Sequence, residues 1–161
     1  MTNTIQLTPD EAARRAMETP MQKRVTIARD AMLKLPQVPC PLDHEFVGQF
    51  YVRTIHVPAK TLVVSKIFKA DFPFYISKGK VSVWVEGQGV DHREAPIWGM
   101  TKAATRRIIM HHTDVVWTTF HPCGELRDVD EIEEQVIYDP AKSHCVDITP
   151  ELMEELKGNE P

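Results

Sequence analysis

Thr105-Arg106-Arg107-Ile108-Ile109, followed after four residues by Asp114-Val115-Val116-Trp117-Thr118-Thr119-Phe120-His121-Pro122, is the stretch on which the fold turns. It reads as two strands, Arg106–His112 and Val115–His121, parted by Thr113-Asp114. β-Branched and aromatic residues dominate both, as expected of chain that fits a pleated, half-buried surface. Upstream, Phe50–Val57, Thr61–Phe68, Phe74–Ser77 and Val81–Val85 have the same texture, with turns expected at Lys78-Gly79-Lys80 and Gly87-Gln88-Gly89. Short strands at this spacing predict a sandwich or barrel rather than a parallel sheet.

The flanks read as helix. Thr8-Pro9-Asp10-Glu11 is a capping box with proline at the first helical position, and Thr19-Pro20-Met21-Gln22 repeats that start. Met21, Val25, Ala28, Met32 and Leu35 then form one apolar stripe, expected to pack on the outer wall of the barrel or to form a dimer contact. Pro36, Pro39 and Pro41 end the helix. Asp128-Val129-Asp130-Glu131 opens a helix reaching about Val136, and Thr149-Pro150 opens a terminal one through about Leu156. His144-Cys145-Val146 between them reads as a late strand or loop. The expected organisation is one structural domain: a helical arm over 1–45, a β-barrel over 46–125 and a helical extension over 126–161.

With 161 residues, the chain suits one domain with a complete core. A formal charge of −4 and the lack of a basic stripe argue against a nucleic-acid partner. No apolar run approaches the roughly 20 residues of a membrane span. The N-terminus has no apolar leader segment, and the three cysteines, Cys40, Cys123 and Cys145, form no CxxC pair. Together these predict reduced thiols and a cytoplasmic protein.

The segment Val57–Pro122 resembles the cupin superfamily, and in particular the small cupin-like proteins encoded by bacteriophages and some bacteria. The resemblance implies a mainly β protein, a single jelly-roll barrel with helical ends. It also implies a homodimer or other homo-oligomer, in the host cytoplasm if the gene is a phage's. The first cupin motif, G-x5-H-x-H-x3,4-E-x6-G, anchored on Gly79, puts its opening glycine on Lys60, its histidines on Lys66 and Phe68 and its glutamate on Phe72. The second, G-x5-P-x-G-x2-H-x3-N, puts P-x-G on Lys102-Ala103-Ala104, its histidine on Arg107 and its asparagine on His111. All four positions that ligate metal in the family are thus occupied here by residues without a metal-binding lone pair at neutral pH.

Two readings of the barrel interior follow. In one, Lys66 and Phe68 share a face, as do Arg107, Ile109 and His111, and these residues line a metal-free pocket with Phe72, Phe74 being a further candidate for its wall. Its ligand would be a small anion, nucleotide-like or carboxylated, with Lys66, Arg107 and His111 supplying charge and hydrogen bonds. In the other, the barrel is packed shut, Lys66 reaches solvent, Arg107 pairs with Asp71 or Asp114, and the chain serves as a structural or virion-associated scaffold. An enzyme is the third possibility, with His111 as acid or base or with a displaced metal site made of His111, His112, His121 and Cys123. No cofactor and no nucleophile–base pair is evident. Trp84 and Trp117 are expected in the core, Trp98 in a loop as a pocket lid or an interface residue.

Overall fold

The structure is a computed structural model describing residues 6–138 and, for the backbone, the strand at 144–147. Two helices, α1 (Pro9–Met17) and α2 (Pro20–Met32), precede nine strands. These are β1 (Leu42–Val47), β2 (Phe50–Val57), β3 (Thr61–Val64), β4 (Phe72–Lys78), β5 (Lys80–Val85), β6 (Gly89–Glu94), β7 (Ile97–Thr101), β8 (Arg107–His111) and β9 (Val115–Pro122). Helix α3 (Val129–Val136) and strand β10 (His144–Asp147) follow. The strands form two five-stranded antiparallel sheets, ordered β1-β2-β9-β4-β7 and β10-β3-β8-β5-β6. This is the mainly β jelly roll expected from the sequence.

Alternation builds the core. On β9 the buried side chains are Val115, Trp117, Thr119 and His121, and on β8 they are Arg107, Ile109 and His111, at every second residue. With Val57, Val63, Phe74, Ile76, Val81 and Val83, the apolar members of these rows fill the space between the sheets. A second core lies outside. Thr19 caps α2 by accepting from the Gln22 amide at 3.1 Å. The helix then lays Val25 and Met32 on Leu62 and Val64, with Trp84, Ile108 and Met110 beside them. All four residues of β3 are therefore buried.

Lys78-Gly79-Lys80 does not close a hairpin, because β4 and β5 belong to different sheets. Gly79 has φ +104, and a Cβ there would stand 2.4 Å from the Asp114 carbonyl oxygen. Only glycine fits a left-handed corner pressed so closely on the β8–β9 connection.

Several boundaries differ from the sequence reading. The strand expected over Thr61–Phe68 stops at Val64, and Phe68 instead makes a single antiparallel bridge to Ile137. Helix α2 ends at Met32 rather than Leu35, and the barrel starts at Leu42. Trp98 lies on strand β7, not in a loop. The C-terminal extension contains a strand as well as a helix, since β10 pairs with β3 from His144↔Val64 to Asp147↔Thr61. The terminal helix expected from Thr149 lies outside the described residues. No helix among the described residues is long and apolar enough to cross a membrane.

Candidate functional site

The cavity between the sheets has a volume of about 60 Å³, and Lys66, Phe68, Phe72, Arg107 and His111 all line it. Arg53, Ser65, Trp117 and Thr119 complete much of the wall and were not read as site residues. Arg53 follows Tyr51 and precedes Ile55 and Val57 on one face of β2. A cation in an inward phase of apolar residues was the available signal. Phe74 lies outside the cavity wall, in the core, 5.3 Å from Trp117 and under the Arg93 guanidinium at 4.9 Å.

Arg107 is the unusual member. It is only 7% exposed. Its backbone is fixed by two 2.9 Å bonds, its amide to Ser65 Oγ and its carbonyl from the Ser65 amide. The side chain donates from one terminal nitrogen to Thr101 Oγ1 at 3.3 Å, while buried Nε has no hydrogen-bond partner among the described residues. The guanidinium carbon lies 6.0 Å from the Phe72 ring centre and 5.9 Å from that of Trp117. Among the described residues no carboxylate comes within 4.0 Å of it. Asp71 accepts from Lys102 and the Ala103 amide, and Asp114 accepts from the Ala59 amide, so neither is the partner expected in the packed-shut reading. Burial, with a smaller contribution from Arg93, pushes the Arg107 pKa down to about 10, so the charge persists at neutral pH.

Lys66 does not reach bulk solvent. Its ammonium is 3.6 Å from Glu133 of α3, an ion pair with the lysine side chain 11% exposed. His111 is buried, and since a carbonyl only accepts, its Nδ1–H donates to Thr61 O at 3.0 Å. Burial pushes its pKa down to about 4, so the imidazole is neutral.

His121 is stacked on Phe68 at 5.1 Å and tilted against Phe72 at 4.7 Å, with its Nε2 2.9 Å from Thr119 Oγ1. Burial lowers its pKa to about 4 as well. His112 points the other way, into an exposed trio in which Ser82 Oγ lies 2.7 Å from both His112 Nε2 and His92 Nδ1. Cys123 Sγ donates to Gln49 O at 3.4 Å. The displaced metal site of His111, His112, His121 and Cys123 therefore does not assemble. No group of three or more His, Cys, Asp or Glu among the described residues could hold a metal.

Backbone conformation supports the motif register independently. The two non-glycine residues with positive φ among the described residues are Lys60, at 60°, and Ala104, at 57°. Both occupy positions where the cupin motifs have glycine, and Gly79 occupies a third. The left-handed corners are thus present at positions 60 and 104 without the glycine that favours them. At the metal positions the cavity presents an ammonium, two phenyl rings and a guanidinium that has no counter-ion among the described residues. This donor set does not fit a metal ion.

No family model and no curated protein matches the chain. Solved structures do. Ectoine synthase from P. lautus superposes with a TM-score of 0.53 at 9% identity, over 75% of this chain and 90% of that one. A cupin-2 domain protein from Shewanella frigidimarina gives 0.43 at 13% identity, over 63% and 98%. An RmlC-like cupin protein from Desulfovibrio desulfuricans gives 0.43 at 15%, over 56% and 92%. At these identities the likeness is one of fold. The fold is that of the cupin superfamily, a double-stranded β-helix.

Proposed function

We propose that this barrel is a metal-free binding site for a small carboxylate or similarly compact anion, held by Arg107. The carrying observation is a buried guanidinium on a cavity wall whose Nε has no partner among the described residues. A charge removed from water without a counter-charge costs several kcal/mol, on the order of what is lost when one partner of a buried ion pair is deleted. An anion in the cavity offsets that cost, and a carboxylate matches the guanidinium fork geometrically. Phe72 and Trp117 supply the apolar wall, and His111, whose single N–H is spent on Thr61 O, lines the cavity as a neutral ring that gives the anion no hydrogen bond. The cavity is several times the ~10–15 Å³ that one water requires and far below the ~300–1,000 Å³ of pockets for drug-sized molecules. Of the two ligand types suggested by the sequence, a short carboxylate suits that volume and a nucleotide does not.

The test is thermal unfolding in acetate, oxalate, inorganic phosphate and adenosine monophosphate. A fitting anion at a hundredfold excess over its Kd stabilises the protein by about 2.7 kcal/mol. The stabilisation is expected from the compact anions and is expected to vanish in Arg107→Met. An unmoved wild-type melting temperature with all four, or an equal shift in the variant, contradicts the proposal.

A further inference from the structure

The outer face of the second sheet carries a cluster of side chains that takes no part in the cavity. Ser82 sits on β5 between buried Val81 and Val83, so its side chain points away from the core. Its register partner on β6 is His92, directly opposite, and on β8 it is Met110, two residues before His112. Both histidines turn to the same hydroxyl, His92 through Nδ1 and His112 through Nε2, each 2.7 Å from Ser82 Oγ. The ring directly across the ladder reaches with its nearer nitrogen and the diagonal one with its farther nitrogen, as their distances along the sheet require. Three neighbouring backbones hold the arrangement, because β6, β5 and β8 are paired in that order and the His112 amide donates to Lys80 O at 2.9 Å. Both histidines are exposed, and neither lines the cavity.

We infer that this cluster is a surface site for one imidazole-seeking divalent ion, of the copper or zinc class, with His92 Nδ1 and His112 Nε2 as its ligands and water completing the shell. Two imidazole nitrogens from different strands converge on one point, which is the geometry that chelation needs. Metal–nitrogen bonds of about 2.0–2.1 Å are shorter than the present hydrogen bonds, so a small rotation of two exposed rings closes them on an ion. Each ring keeps its one proton on the nitrogen that does not bind, so neutral histidines lose no proton to the solvent when the ion enters. Ser82 is a positioning residue that turns the two rings toward each other. Neutral imidazole suits copper, nickel and zinc, whereas magnesium and calcium prefer oxygen, and copper(II) stands first in the order of affinity. Two protein ligands fall short of the four that close a structural zinc site, so the site is open and its affinity modest. The ion would tie β6, the outermost strand of its sheet, to β8 across β5, and only the folded chain brings the two histidines together. The site is separate from the Arg107 cavity and independent of its anion.

Electron paramagnetic resonance of the full chain, stripped with EDTA, dialysed and then given less than one equivalent of copper(II), tests this. The expected spectrum shows hyperfine coupling to two imidazole nitrogens. His92→Ala and His112→Ala should each leave one coupled nitrogen and weaken copper binding at least about tenfold in calorimetry, with an unchanged circular dichroism spectrum. His56→Ala, which removes a histidine bonded to Asp43 on the other sheet, should leave both couplings in place. A wild type that binds no copper at about 50 µM overturns the inference. So does a two-nitrogen signal that survives in His92→Ala or His112→Ala, or one that is lost in His56→Ala, since the ion would then sit on other histidines.

Discussion

Arg107 and Lys66 are both cations on the cavity wall, yet their circumstances differ. Lys66 is answered by Glu133, 67 residues away in sequence, whereas the Arg107 side chain meets, among the described residues, Thr101 Oγ1 and two ring faces. If Arg107 were there for stability, replacing it would weaken the fold. If it is there for a ligand, the empty protein carries its cost. Arg107→Met, which keeps the unbranched stem and removes the charge, is therefore expected to stabilise the ligand-free protein by about 1–4 kcal/mol, read from urea midpoints in a buffer free of carboxylate and phosphate. A loss of stability would mark Arg107 as a structural residue. Arg107 was legible in the sequence because Gly79 anchors one motif and the second falls into place downstream. The pairing of Lys66 was not, because Glu133 lies on a different element and nothing in local spacing links the two. Arg53 escaped for a related reason: no motif covers β2, and only its phase with Tyr51 and Val57 marks it as inward.

Among the elements, α2 bears on the site without touching the cavity. Its Gln22 accepts from Arg106 Nε at 3.0 Å, and the Gln22 carbonyl and Thr26 Oγ1 accept from the same guanidinium at 2.6 and 2.8 Å. The residue before Arg107 is thereby pinned to the helix, while Val25 and Met32 cover the back of β3 and β8. Met32 is fully buried, so Met32→Ala leaves a hole against Leu62 and Val64 and should cost about 2–5 kcal/mol in chemical denaturation. A cost below about 1 kcal/mol would mean that the helix is an appendage rather than part of the barrel. The apolar stripe of this helix was readable from its spacing of three and four. The end of β3 was not: Thr61–Phe68 is continuously strand-like in composition, but the β8 ladder starts at Arg107, whose bonds to Ser65 finish the pairing. Trp98 misled because Pro96 and Gly99 suggest a loop, yet proline can begin or flank an edge strand, where it withdraws no needed donor.

For the whole molecule, two buried neutral histidines set the response to acid. His111 and His121 have folded-state pKa values near 4, below the ordinary value of 6.5, because burial disfavours the imidazolium. Above pH 6.5 they cost nothing. Between pH 6.5 and 4 the unfolded chain takes up protons that the folded chain refuses, so stability falls as pH falls. Each histidine should remove roughly 2 kcal/mol by pH 5. The urea midpoint should therefore drop between pH 7.5 and pH 5, and His121→Phe should reduce the slope. Equal midpoints at the two pH values would mean that water reaches both rings. At this scale the sequence was most readable: strand texture, turn spacing and capping boxes specify a barrel with helical flanks. Its closure into two sheets depends on sheet-crossing corners that composition does not distinguish from hairpins.

The glycine at position 79 has one more effect. Around it the Lys80 amide donates to Thr113 Oγ1, the His112 amide to Lys80 O, the Ala95 amide to Gly79 O and the Lys60 amide to His111 O, all within 2.8–3.0 Å. Four chain reversals are stitched together at that pole, leaving no slack there for breathing. On the proposed anion-binding reading, ligand exchange then falls to the side where residues 67–69 are tied to 136–138 by backbone bonds of 2.9 Å and Glu133 leans over Lys66. Residence times should be set there, by a helix that is not part of the vessel it closes.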